Sequence, residues 1–279
     1  MAKAYSLLSW NVEHFKVKSD GDSKARLQRI VSTIKSENPD VFALYEVEGK
    51  EVFTELITHF PSYSFHITEG TQVQEILVGV RGNISAFFTQ KLEFKSSQET
   101  LRPGALLTLT IDSVHYPILF LHLKSFDDPR SFGLRDDMIS KAIKFASKLK
   151  TGNQNANYLF IGDLNTMGLD YYFDRDIPVD LELKKADTYA KRYYDMVRLD
   201  KTYANSWWNG SGSSYDESPL DHCYAADHLS FRMFTNKSGT GKSPVDVRGW
   251  ADKTTIPEKD QWIAEYSDHC YLYLEVQKI

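Results

Sequence analysis

At five places in this chain an apolar run meets a residue able to bind a metal ion or move a proton: Asn11, Glu46, His122, Asp163 with Asn165, and Asp268 with His269. Residues 5–10 run into Asn11, 41–45 into Glu46, 117–121 into His122 and 158–162 into Asp163, so each reads as a buried strand that stops at a polar residue. Asp268-His269 instead opens the run 270–276, which predicts a last strand running the opposite way with its start at the same rim. Polar residues bound strands in most proteins, because loops sit in water and need Asn, Asp and Gly for their turns. What sets this group apart is its chemistry. Carboxylates, carboxamides and imidazoles are the hard oxygen ligands and proton carriers that metal-assisted phosphoryl transfer uses.

The elements that must position these residues can be read from the pattern. Strands at 5–11 and 40–46 flank residues 23–37, where Leu27, Ile30, Val31 and Ile34 recur at helical spacing. Asp22 or Ser23 can cap that helix and Pro39 stops it. A shorter helix with Val52, Phe53, Leu56 and Ile57 on one face follows Glu46. From 63 to 123 the pattern changes to short apolar segments, 63–67, 75–80, 84–89, 105–111 and 117–123, broken at Gly70, Gly82-Asn83, Pro103-Gly104 and Asp112-Ser113, which predicts antiparallel strands and hairpins. Leu134, Met138, Ala142, Phe145 and Leu149 mark another helix, and 157–161 a buried strand. A helix is expected through Tyr189, Tyr193 and Val197, an exposed loop over 205–219, a strand over 228–234 and loop over 236–265. This order suits an α/β protein of two packed sheets with helices outside, a single domain over 1–279.

Composition narrows the class. Hydrophobic residues make up 42% and charged residues 25%, as in an ordinary globular protein with a large core. Cys223 and Cys270 are too few for a disulfide scaffold and read as reduced thiols. There is no basic stretch followed by an apolar core near the start, and no run approaches the roughly 20 apolar residues of a membrane span. The reading is therefore cytoplasmic, with no membrane span. A net charge of -5 argues against non-specific coating of nucleic acid, and the basic, tyrosine-rich residues Lys184, Lys185, Lys191, Arg192, Arg198 and Lys201 read as a solvated helix face. Gly239-Thr240-Gly241-Lys242-Ser243 resembles the end of a phosphate loop, but Asn236 stands where that motif wants Gly, and Pro244 follows where a helix should open, so no nucleotide cofactor is expected. No serine elbow or paired-histidine zinc motif is present, and His14, His59, His66 and His115 read as structural or surface residues.

Gly162-Asp163-Leu164-Asn165-Thr166 is the strongest local motif: the glycine permits close approach to a ligand, the aspartate supplies a carboxylate and the asparagine an orienting amide. With Ser9-Trp10-Asn11-Val12, Tyr45-Glu46-Val47, His122-Leu123-Lys124-Ser125, Asp227-His228-Leu229-Ser230-Phe231 and Ser267-Asp268-His269, it resembles the endonuclease/exonuclease/phosphatase superfamily in its deoxyribonuclease-like branch. The resemblance spans nearly the whole chain. It implies a four-layered α/β (α+β) sandwich, two packed mixed β-sheets flanked by helices, with Mg²⁺ at the rim and Mn²⁺ as a possible substitute. Glu46 then matches the metal-binding glutamate, with Asn11 and Asp268 close to metal and phosphate. Asp163 matches the residue that orients or deprotonates the attacking water, and Asn165 its neighbour on the phosphate. His122 and His269 match the two histidines, and Asp227 the aspartate that holds the second. Asp221 competes for that last role but is followed by a less regular alternation in 223–226. Arg102 falls near a phosphate-binding arginine of some members, and Tyr45 replaces the glutamine that commonly precedes the metal glutamate.

The function implied is one-step, in-line hydrolysis of a phosphodiester, with nucleic acid, DNA first, as substrate. Trp207 and Trp208 are candidates for stacking on bases, the alternative being that they anchor their loop to the core. Hydrolysis of inositol phosphates or of sphingomyelin, in the manner of a phosphatase or phospholipase C, is the alternative enzyme reading. A phosphate- or nucleic-acid-binding protein that has lost the chemistry ranks below both, because every core position is filled.

Overall fold

A computed structural model of the chain describes residues 2–18, 20–152 and 154–279. In chain order its elements are β1 (Lys3–Lys16), α1 (Gly21–Glu37), β2 (Val41–Glu48), α2 (Lys50–His59), β3 (Tyr63–Ile67), β4 (Glu75–Arg81), β5 (Ser85–Lys91), β6 (Gly104–Ile111), β7 (Val114–His122), α3 (Pro129–Lys148) and β8 (Leu159–Asp163). They continue with α4 (Val179–Tyr194), β9 (Met196–Arg198), β10 (Asp221–Ala226), β11 (Phe234–Thr235), β12 (Lys242–Ser243), β13 (Asp246–Arg248), α5 (Ile256–Glu265) and β14 (Tyr271–Gln277). Two six-stranded mixed sheets, ordered β13-β14-β1-β2-β4-β3 and β5-β6-β7-β8-β10-β9, pack face to face. Helices α1, α2 and α5 cover the first sheet and α3 and α4 the second, giving the expected four layers.

Two parallel crossovers organise the molecule. β1 passes through α1 to the parallel β2, and β7 passes through α3 to the parallel β8, so four strand ends point the same way. Helix α1 forms because Leu27, Ile30, Val31 and Ile34 bury one stripe. Its cap is Asp20, two or three residues earlier than the Asp22 or Ser23 expected from the sequence, accepting from the Ser23 amide, and Asn38 ends it in the left-handed conformation ahead of Pro39. β14 runs antiparallel to β1, which brings its first residues to the end of β1.

Three segments differ from the sequence reading. The strand expected at 228–234 lies instead at Asp221–Ala226. That strand sits between β8 and β9 with all six residues buried, so it carries no apolar–polar alternation, whereas 228–234 alternates because it lies along the surface. Val197 belongs to β9, after α4 ends at Tyr194. The stretch read as loop over 236–265 holds β12, β13 and α5, and the helix signal was present: Thr255 and Glu258 form a capping box with Pro257 in the first turn. Cys223 and Cys270 are both buried free thiols.

Behind the rim, α3 is tied to the loops that leave it by a buried charge. Arg135 is fully buried and donates to Glu182 Oε1 at 2.6 Å, to the Phe126 carbonyl at 2.8 Å and to the Gly168 carbonyl at 2.8 Å. Glu182 Oε2 in turn accepts the Gly168 amide at 2.7 Å. Replacing Arg135 with alanine strands the Glu182 carboxylate and frees both loops, so urea denaturation should show a loss of about 3–5 kcal/mol. A loss below about 1 kcal/mol would mean the ion pair is dispensable.

Candidate active site

Strand register does most of the assembly. In the second sheet His122 pairs with Asp163 across β7 and β8, and Asp163 pairs with Asp221 across β8 and β10, so three polar side chains stand in one row. In the first sheet Asn11 pairs with Tyr45 across β1 and β2, which sets Asn11 beside Glu46. Asp268 and His269, just before β14, complete the group. Where the two sheets meet, the Tyr45 hydroxyl lies 2.8 Å from Ser9 Oγ and donates to the Ile161 carbonyl at 3.2 Å. Gly162 follows with φ 149°, and a Cβ there would meet the Leu121 carbonyl oxygen at 2.0 Å and the Tyr45 hydroxyl at 2.8 Å. Glu46 and Asn165 adopt left-handed conformations, φ 62° and 51°, sparsely populated by such residues and common where a strand end must aim a side chain.

The side chains converge closely. Asn11 Nδ2 donates to Asp163 Oδ2 at 2.9 Å and to Glu46 Oε1 at 3.1 Å. His122 Nε2 lies 3.5 Å from Asp163 Oδ2 and 3.7 Å from Glu46 Oε1. His269 Nδ1 is 2.8 Å from Asp221 Oδ2, while its Nε2 faces Asp163 Oδ2 at 3.8 Å. Asn165 returns its own amide to Asp163 Oδ1 at 3.0 Å and hands its side-chain Nδ2 to the Leu123 carbonyl at 3.1 Å. Ser267 Oγ donates to the Asn11 carbonyl at 2.7 Å and accepts the His269 amide at 3.1 Å, locking the β14 entry onto the end of β1.

Burial splits the protonation states of these groups. Desolvation opposes a charge on His269, but the Asp221, Asp163 and Asp268 carboxylates outweigh it and hold the imidazole well above its ordinary value. For Asp163, desolvation is opposed by the His269 charge yet reinforced by Asp221 and Glu46, and the carboxyl is pushed up to about 7. Burial, aided by the Arg102 and His269 charges, holds His122 well below its usual range, and its Nδ1 is left without a partner. The site thus contains a cationic imidazole, a neutral imidazole and a carboxylate poised near neutrality.

Two sequence expectations need correction. Asp227 does not hold His269: it pairs with Lys191 at 2.8 Å on the surface, and Asp221 takes the place beside the histidine. Trp208 offers no face to a ligand, being 9% exposed and packed against Trp250, and Trp207 is half-buried with its indole N–H on Asp268 Oδ2 at 2.6 Å. Arg102 reaches the rim through an intermediary, since its guanidinium donates to Gln74 Oε1 and Gln74 Nε2 donates to Glu46 Oε2 at 2.8 Å. Gln74 was missed because nothing in its neighbourhood marks it, whereas Tyr45, read as a departure, turns into the core between the sheets. Asn11, Glu46, His122, Asp163, Asn165, Asp268 and His269 all reach the rim.

The sequence profile of the endonuclease/exonuclease/phosphatase family matches residues 8–269. The chain belongs to this family. No curated protein sequence matches it. Among solved structures, truncated TDP2 from Caenorhabditis elegans is similar at 17% identity, covering 98% of both chains with a TM-score of 0.65. TDP2 from D. rerio complexed with a single-strand DNA product shares 16% identity over 98% of both chains, TM-score 0.66. A mannosyl-6-phosphatase of Bacteroides thetaiotaomicron shares 13% over 98% of this chain and 99% of its own, TM-score 0.60. At these identities the likeness is one of fold.

Members of the family generally use a divalent metal ion, and the residues here fit one. Asp268 Oδ1 is buried without a hydrogen-bond partner while Oδ2 is taken by Trp207, and the Glu46 carboxylate supplies hard oxygens at the same rim, with Asn11 holding Glu46 Oε1 through its Nδ2 while its own Oδ1 accepts the Glu13 amide at 3.0 Å. Asp163, Asp221 and His269 also bring ligand atoms within 4.8 Å of one another, but the Asp221–His269 hydrogen bond already occupies the imidazole Nδ1. That trio is better suited to proton handling than to coordination.

In an NMR titration the His269 imidazole should remain protonated through neutral pH, and Asp221→Asn should move its midpoint down because the strongest opposing carboxylate is removed. An unchanged midpoint would show that Asp221 does not set the charge.

Proposed function

We propose that this chain is a divalent-metal-dependent phosphodiesterase that hydrolyses nucleic acid, DNA first, by one-step in-line attack of water. The observation that carries this reading is the His269–Asp221 pair set against Asp163 on a rim that also holds Glu46 and Asp268. Glu46, with Asn11 and Asp268, would hold Mg²⁺, or Mn²⁺ in its place, which when bound would supply Lewis-acid neutralisation of phosphoryl charge.

The remaining work falls to the chain. Asp163, its carboxyl near 7, orients the attacking water and takes its proton. His269, kept cationic by Asp221, presents Nε2–H to a phosphoryl oxygen, where the developing charge is greatest. His122 stays neutral and holds the opposite side, and Asn165 fixes the Asp163 carboxylate. Arg102 and Lys124 line a groove of about 380 Å³ beside the rim, suited to the flanking phosphate. Phe126, Tyr172 and Phe173, exposed on the loops that follow His122 and Asp163, offer the aromatic faces that Trp208 does not.

The D. rerio TDP2 complex with single-strand DNA product supports nucleic acid as the polymer. The mannosyl-6-phosphatase of the same fold supports a second reading, hydrolysis of a small phosphomonoester, with inositol phosphates and sphingomyelin as the other candidates.

The test is hydrolysis with Mg²⁺, Mn²⁺ or EDTA across single-stranded DNA, plasmid, RNA, a sugar phosphate, inositol phosphates and sphingomyelin. Cutting of DNA that needs metal is expected, with Asp163→Ala and His269→Ala each lowering turnover by about 10³-fold in folded protein. Turnover near wild type in both variants would sink the assignment, and activity confined to a small phosphate or lipid would transfer the mechanism to that substrate. In the wild type kcat/KM should fall as pH drops below about 7, where Asp163 takes up its proton, and fall again at alkaline pH as His269 loses its own.

A further inference from the structure

A second cavity, of about 760 Å³, opens between the start of α4, the segment after β9 and the β11–β12 hairpin, and none of the rim residues lines it. α4 begins there with Pro178 in the capping position and no side-chain cap, so the free amides at the start of a 16-residue helix face the space, partly offset by Asp180 and Glu182 in its first turn. Lys201 also lines it. Its Nζ donates to the Asp221 carbonyl at 2.8 Å, no carboxylate pairs with it among the described residues, and burial pushes its ammonium down to about 7. Lys242 adds a second, exposed cation from the hairpin.

His222 supplies the independent observation. It is 1% exposed, it lines the cavity, and its Nδ1 has no partner. Its Nε2 lies 3.0 Å from Thr166 Oγ1, and that hydroxyl already donates to the Pro219 carbonyl at 2.7 Å, so Nε2 carries the imidazole proton and Nδ1 is a bare acceptor. Buried acceptors are rarely left unmade, and this one asks for a hydroxyl or amine donor. The remaining charges limit the guest. Arg198 is committed to Asp187 at 2.9 Å, and the exposed carboxylates of Asp180 and Asp200 stand at the same cavity, which disfavours a polyphosphate.

We propose that this cavity is a second ligand site for a small hydroxylated phosphomonoester, such as a sugar phosphate, with its phosphate on Lys201, Lys242 and the start of α4 and a hydroxyl on His222 Nδ1. The segment 239–243 serves as a hairpin that carries Lys242 rather than as a phosphate loop: Ser243 Oγ is spent on Asn236 Oδ1 at 2.7 Å and no helix follows. Occupancy reaches the rim by two direct links. Lys201 holds the backbone of Asp221, the partner of His269, and His222 holds Thr166, the neighbour of Asn165. The site is therefore regulatory in position.

Calorimetric titration of the full chain in EDTA, where the metal-dependent reaction of either proposed kind is silent, with ribose 5-phosphate, inorganic phosphate and ribose, each alone, reads binding without turnover and so stands whether or not the proposed reaction is correct. Ribose 5-phosphate should bind saturably and inorganic phosphate about tenfold more weakly, because it lacks the sugar hydroxyls. Lys201→Met and Lys242→Glu should each weaken ribose 5-phosphate by about tenfold or more, while His269→Ala leaves it unchanged. Lys242 is exposed, so its replacement does not threaten the fold. Binding that survives Lys242→Glu, or that is lost in His269→Ala, belongs elsewhere and overturns the proposal, as does an absence of binding at millimolar ribose 5-phosphate.

Discussion

The close approach of the two sheets at Gly162 is the constraint on which the site depends. Each sheet supplies one half of the rim, and the halves meet only because residue 162 has no side chain and the Tyr45 hydroxyl fills the gap with hydrogen bonds to Ser9 and Ile161. A phenol buried this deeply stays un-ionised, since desolvation raises it well above its ordinary value, and so it links the sheets without adding charge beneath the carboxylates. Asn11 then joins the halves on the upper side, donating at once to Glu46 of the first sheet and Asp163 of the second.

The row His122, Asp163, Asp221 explains why the site holds groups of such different protonation. Antiparallel and parallel pairing place them side by side, and low polarisability around them makes each charge felt by the next. Beyond its burial, Asp163 feels the His269 charge, which lowers it, and the Asp221 and Glu46 carboxylates, which raise it, so its proton affinity belongs to the rim as a whole. One proton placed on His269 faces the Asp221 and Asp163 carboxylates at once, away from the solvent that would screen it.

Much of this was legible in the sequence because catalytic residues at strand ends interrupt apolar runs: Asn11, Glu46, His122, Asp163 and His269 each announce themselves in that way. The layers were legible from the order of helical and strand periods. Asp221 is harder to read than Asp227 because a strand buried on both faces has no period to show, and the neighbouring 228–234 imitates one. Helix α5 was lost among glycines and prolines although Thr255 and Glu258 marked its start. Contacts made through an intermediary, such as Arg102 through Gln74 to Glu46, have no local signature at all, since only the fold brings β2 and the segments before β4 and β6 together.

Two indole N–H groups end on Asp268: that of Trp207 on its carboxylate and that of Trp250 on its carbonyl at 3.0 Å. The residue is therefore suspended between two fluorophores, one touching the atoms that would change partners on cation binding and the other only the main chain. A cation at Asp268 would therefore change the surroundings of the Trp207 indole and leave the Trp250 hydrogen bond in place, so the rim carries a built-in optical reporter, readable once the other tryptophans among the five are replaced.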